Sequence, residues 1–181
     1  MLTIIVPESE IYNEATNEFI YIKETTLRLE HSLVSISKWE SKWKKPFLGK
    51  ERKTNEEIRD YVKCMTTTQN VPDQVYMCLT SDNYKEIGDY IEDSKTATWF
   101  NDQHKKPTSE IVTSELIYYW MTAFNIPFEC QKWHLNRLLT LIKICSIKNE
   151  PKGNKKMSKS AIMRQNSSLN QARRAKHGSK G

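Results

Sequence analysis

A chain of 181 residues with 38% hydrophobic content can build one core but not two. Its net charge of +6 is unevenly placed: residues 148–181 hold ten Lys or Arg against a single acid, Glu150, while residues 1–147 hold eighteen basic and twenty-one acidic residues. No run approaches the roughly eighteen apolar residues that cross a bilayer, and Met1–Pro7 has neither the basic start nor the apolar length of a signal peptide.

Leu2 to Val6 is a short β-rich run stopped by Pro7, and residues 13–17 are polar and turn-like. Phe19 to Ile22 and then Thr26 to Glu30 read as extended, the second with clean alternation of apolar and polar side chains. These runs predict a small antiparallel sheet of two or three strands, which needs helices over one face. Ser32 is placed to cap a first helix carrying Leu33, Ile36, Trp39 and Trp43 at helical spacing, ended by Pro46. Thr54 and Glu57 have capping-box spacing and open a second helix with Ile58, Tyr61, Val62 and Met65 on one face. Val75-Tyr76 falls in a short helical turn, and Ser81 is placed to cap another short helix with Tyr84, Ile87, Tyr90 and Ile91 as its stripe. Gly88 weakens that helix by ~1 kcal/mol relative to Ala. Residues 93–107 carry no periodicity, although Trp99 and Phe100 within them need cover.

The most apolar stretch is 111–147. Leu116 to Met121 is apolar or aromatic at six successive positions, the signature of a helix buried on more than one side. The pattern predicts a helix from about Ser109 to Asn125 and a second from about Phe128 to Ser146, joined around Pro127 as an antiparallel hairpin. If Trp120 is fully buried there, Trp120→Ala costs ~3–5 kcal/mol. The body ends near Asn149. Residues 150–156 form a linker, and Ser158 opens a final helix to about Arg174 whose only large apolar residues are Ile162, Met163 and Leu169. So few apolar side chains do not offset the entropy of ordering the segment, and the reading is a helix that orders against a partner.

The architecture that follows is α+β and mainly α. A small N-terminal antiparallel sheet (1–31) packs on a helical body (32–149) with a central helical hairpin, and a basic extension (150–181) follows.

Few residues suggest chemistry. Cys64, Cys78, Cys130 and Cys145 lack zinc-knuckle spacing and read as reduced thiols in a cytosolic protein. Cys130 and His134 stand four apart on an expected helix and would share a face, but Cys there also reads as a small core residue. His31, His104 and His177 are isolated and read as surface or cap residues, and Glu110 and Glu115 suit a helix start. No phosphate loop, nucleophile elbow or metalloprotease helix occurs, so the chain reads as non-catalytic and without cofactor or metal. Residues 38–47 interleave Lys with Trp and Phe, but Trp39 and Trp43 continue a core stripe, with the lysines extending past them to water. The stronger binding candidates lie in the tail: Lys155, Lys156, Lys159, Arg164, Arg173, Arg174 and Lys176. With no Trp, Tyr or Phe beside them, they offer attraction to an acidic partner or a nucleic-acid backbone without reading bases.

Several blocks together, SISKWESKWKKPFLGK (35–50), IVTSELIYYWMTAFNIPFECQKWHLNRLLTLIKIC (111–145) and KKMSKSAIMRQNSSLNQARRAKHGSKG (155–181), resemble the tail assembly chaperones of long-tailed bacteriophages. The resemblance runs over nearly the whole chain. It implies a non-catalytic factor in the host cytoplasm that binds the helical tape measure protein and helps tail tube subunits polymerise around it. The alternatives are a virion component of the tail or head–tail junction and a nucleic-acid-binding module acting through the tail.

Overall fold

The computed structural model describes residues 1–13, 17–100, 110–149 and 159–177. The chain divides into two compact units, Met1–Cys145 and Ser146–Gly181.

The first unit begins with four strands: β1 (Leu2–Val6), β2 (Ser9–Asn13), β3 (Glu18–Ile22) and β4 (Thr25–Leu29). β1 pairs antiparallel with β4, Leu2 opposite Leu29 and Val6 opposite Thr25; β2 pairs with β3, Ser9 opposite Ile22 and Asn13 opposite Glu18. The two ladders keep one register, so they are the halves of a single hairpin interrupted at Pro7-Glu8 and Lys23-Glu24. Proline lacks the N–H that the ladder requires. Beyond the interruption the inward face changes phase. Ile4, Val6, Leu27 and Leu29 are buried in the first half, whereas Ile11, Ile20 and Ile22 are the more covered residues in the second. On each strand the step between inward residues there is three, from Val6 to Ser9 and from Ile22 to Thr25, so both strands turn over together. The β2 strand was not expected from the sequence, because Ser9 to Asn13 has one aliphatic residue and Pro7 suggests an end.

Both edges of the β1–β4 pair are covered. Asn83 Nδ2 donates to Ile5 O (3.1 Å) on one edge. On the other, Glu30 N donates to Met65 O (2.9 Å), Thr67 N to Arg28 O (2.8 Å) and Arg28 N to Thr68 Oγ1 (2.9 Å). Such cover keeps a strand edge from pairing with other chains.

The helices are α1 (Leu33–Trp43), α2 (Asn55–Met65), α3 (Ser81–Glu92), α4 (Ser114–Ala123), α5 (Leu135–Asn149) and α6 (Lys159–His177), with 3-10 turns at Asp73–Met77 and Phe128–Lys132. Reciprocal capping boxes open three of them: Ser32 with Ser35, Thr54 with Glu57, and Thr80 with Asn83. α1 lies at the centre. Its Leu33, Ile36 and Trp39 are at most 1% exposed, and it packs on α2, α4 and the second 3-10 turn. Lys44, in the left-handed conformation at φ 54°, ends it before Pro46.

Four expectations for the body need correction. α4 starts at Ser114 behind the cap Thr113 and buries Ser114, Ile117 and Met121 along one side, while Tyr119 is 66% exposed and Trp120 half-buried. A six-residue apolar run therefore does not mean a helix surrounded by protein; α1 covers only one side of it. The stretch after Pro127 is not one long helix, because a 3-10 turn and an extended Trp133-His134 precede α5. Ser32 and His134 form a β-bridge and Leu135 N donates to His31 O (2.8 Å), so strand-like pairing interrupts the helix that propensity alone would continue. Trp99 does not find cover and is 82% exposed. The second unit contains α6, whose described side chains are all exposed. Ser109, His104 and Ser158 lie outside the described residues.

Candidate functional site

Three features of the described residues could carry function: a buried histidine cluster, an apolar groove, and the basic helix α6.

The cluster forms where β4 passes into α1. His31, 2% exposed, places Nδ1 2.6 Å from Tyr61 Oη, and its ring stands 5.1 Å from that of His134, itself 7% exposed. His134 Nε2 donates to Tyr90 O (2.9 Å), and Nδ1 then accepts from Asn136 N (3.3 Å), which assigns the neutral tautomer with its proton on Nε2. Burial, and secondarily the neighbouring His134, lower His31 from 6.5 to about 4; burial is also the main cause lowering His134. Burial pushes the Tyr61 phenol well above its ordinary value, so it stays protonated. Ser35, whose Oγ lies 3.3 Å from Tyr61 Oη, already donates to Ser32 O (2.7 Å) and accepts from Ser32 N (2.9 Å) within the cap of α1.

The residues resemble nucleophile chemistry in type but not in arrangement. The cleft beside them, lined by Glu30, Ser32, Ser35, Cys64 and Thr66 among others, is not lined by His31, Tyr61 or His134. The cluster holds the sheet, α1, α2 and the start of α5 together. The sequence alone presents His31 as an isolated surface or cap residue and His134 as half of a pair with Cys130. Cys130 lies instead in the 3-10 turn and His134 in the extended segment, so they do not share a helix face. The partnership of His31 and His134, 103 positions apart, leaves no local signal in the sequence. The four cysteines are free, and among the described residues no group of three or more His, Cys, Asp or Glu could hold a metal ion.

Two buried carboxylates add to the frame, of which the sequence marks only Glu57, as a capping-box residue. Glu40, 7% exposed, accepts from Phe47 N and Ser114 N, both at 2.7 Å, one on each oxygen. It thereby fastens the α1–α2 connection, near its start, to the first turn of α4. Glu57 accepts from Thr54 N (2.7 Å) and pairs with Lys45 (2.7 Å), and the Lys45 contact is the main cause holding its carboxyl below the usual range. Both carboxylates have full complements of partners and are structural.

The groove has a volume of about 630 Å³ and is lined by Pro46, Leu48, Ile111, Val112, Trp120 and Leu139, with Gly49, Lys50, Glu51 and Glu110 also lining it. Its wall from 46 to 49 is a tight turn closed by Gly49 N donating to Pro46 O (3.1 Å). A Cβ at Gly49 would meet that oxygen at 3.1 Å and the proline ring at 3.2 Å, so glycine permits the close approach. Ile111 is 63% exposed.

The basic candidates distribute as follows. Lys155 and Lys156 lie outside the described residues. Lys159, Arg174 and Lys176 are in α6, their side chains outside the description, and Arg164 and Arg173 are exposed on it. Nine positions separate the two arginines, which sets them on opposite sides of the helix. No helix among the described residues is long and apolar enough to cross a membrane.

Comparison with known proteins returned no match to a family model, a curated protein or a solved structure.

Proposed function

We propose that this protein is a non-catalytic assembly factor of the bacteriophage tail assembly chaperone type, holding the helical tape measure protein while tail tube subunits polymerise around it. The observation that carries the reading is the groove. Leu48, Ile111, Val112, Trp120 and Leu139 offer a trough of apolar surface with charged residues beside it. That chemistry suits the apolar stripe of an amphipathic helix, which inserts side chains at i, i+3, i+4 and i+7 into such a trough. The sequence blocks that resemble the chaperone family, 35–50 and 111–145, contribute every residue lining the groove except Glu51 and Glu110. Co-expression with the tape measure protein of the same genome tests the reading. The expected result is a soluble complex that Ile111→Glu weakens at least tenfold. An insoluble tape measure protein with no recoverable complex defeats it.

A second reading rests on α6, which carries five Lys or Arg and no acid. Acting as a nucleic-acid-binding module, it would bind with an affinity that falls steeply with salt. Undetectable or salt-insensitive binding by the full chain excludes that role. The reading as a virion component of the tail or head–tail junction differs in one observable: mass spectrometry of purified particles should find it in fixed copy number, whereas a chaperone should be missing.

A further inference from the structure

One face of the outer half of the hairpin packs Ile11, Ile20 and Ile22 toward the core, and the other face has no evident part in it. Because the ladder turns over at Pro7-Glu8, Glu10, Tyr12, Phe19 and Tyr21 face outward on β2 and β3. The three aromatic residues are 49%, 71% and 55% exposed, and Tyr12 and Phe19 pack ring against ring at 5.1 Å. Their positions are held: Tyr21 Oη donates to Glu8 (2.5 Å) and Tyr12 Oη to Asn17 Oδ1 (2.9 Å). A preset aromatic face of this kind loses little side-chain freedom on binding. Glu10 stands among these aromatic residues, and the arm as a whole is acidic: residues 8–24 hold five glutamates and one lysine.

We infer that this face docks the basic C-terminal helix of a second copy of the chain. Charge complementarity selects the occupant. α6 has five Lys or Arg and no acid, against an arm with net charge −4 over residues 8–24. Leu169, 48% exposed, and Arg173, also exposed, stand four apart on one side of α6. They supply an apolar contact for Phe19 and a guanidinium for an aromatic face and a glutamate beside it. A five-residue strand spans about 17 Å, so part of α6, which is about 28 Å long, is enough to cover it. Each copy carries one arm and one helix, so the exchange closes as a two-fold dimer or continues head to tail. This self-association does not depend on what the groove binds.

Sedimentation velocity of the full-length chain at 50 mM and 500 mM salt tests it. The wild type should associate at low salt and dissociate at high salt. Glu10→Lys should leave monomers, as should Arg173→Glu with Lys176→Glu. An equimolar mixture of the two variants should associate again, which a folding defect in either would prevent. Phe19→Ser, with charge unchanged, should raise the dissociation constant at least tenfold. A wild type that is monomeric at both salts, variants that associate as the wild type does, or a mixture that remains monomeric would overturn the proposal.

Discussion

α1 and α6 are both helices, and they owe their order to different things. α1 has eleven residues, a reciprocal capping box, a left-handed stop at Lys44, and five buried residues. α6 has nineteen residues, and its described side chains are all exposed, Met163 at 76% among them. Longer should be better for an isolated helix, because each added residue after the first turn gains a hydrogen bond. Yet most helical stability in a protein comes from a packed face, and only α1 has one shown here. The shorter helix organises the body, and the described side chains of the longer one are all open to solvent.

The contrast breaks most visibly at Trp39. It is 1% exposed and its Nε1 donates to Glu57 O (2.9 Å), so Trp39→Ala should destabilise the body by about 3–5 kcal/mol in denaturant unfolding. Glu40→Ala leaves Phe47 N and Ser114 N without their acceptor and should cost on the order of 3 kcal/mol, with Glu40→Gln costing less because its carbonyl still accepts one bond. Acid sharpens the same distinction. The fold holds His31 neutral down to about pH 4 while the unfolded chain takes up its proton near 6.5. Its contribution is therefore present above pH 6.5 and lost progressively as pH falls toward 4, about 3 kcal/mol in all. His134 acts in the same direction, so unfolding midpoints measured from pH 7 to 4 should fall, and less steeply in His31→Asn. Trp120→Ala, at a half-buried site, should cost about 1–2 kcal/mol, below the range for a buried tryptophan. Met163→Ala should leave stability of the body within about 0.5 kcal/mol. A larger loss there would mean that α6 has a packed face after all.

The sequence alone was sufficient for the fold class and for the elements whose signals are local. The capping box at Thr54–Glu57, the apolar stripe of α1, that of α2 apart from the exposed Ile58, and the alternation in β4 depend on neighbours a few positions away, and the structure contains them; the cap of α3 falls one residue earlier than expected, on Thr80 instead of Ser81. The charge division between body and tail is likewise a property of composition. Tertiary structure decided the rest, because the deciding contacts join residues far apart in the chain. Pairing of Ser32 with His134 replaced a helical turn by extended backbone, and the covering of α4 by α1 on one side left Tyr119 in solvent. The buried roles of His31 and Glu40 arise from partners as distant as residues 134 and 114. A charge or an imidazole becomes a core residue only when the fold brings it donors, acceptors and cover, and no window of local sequence contains those groups.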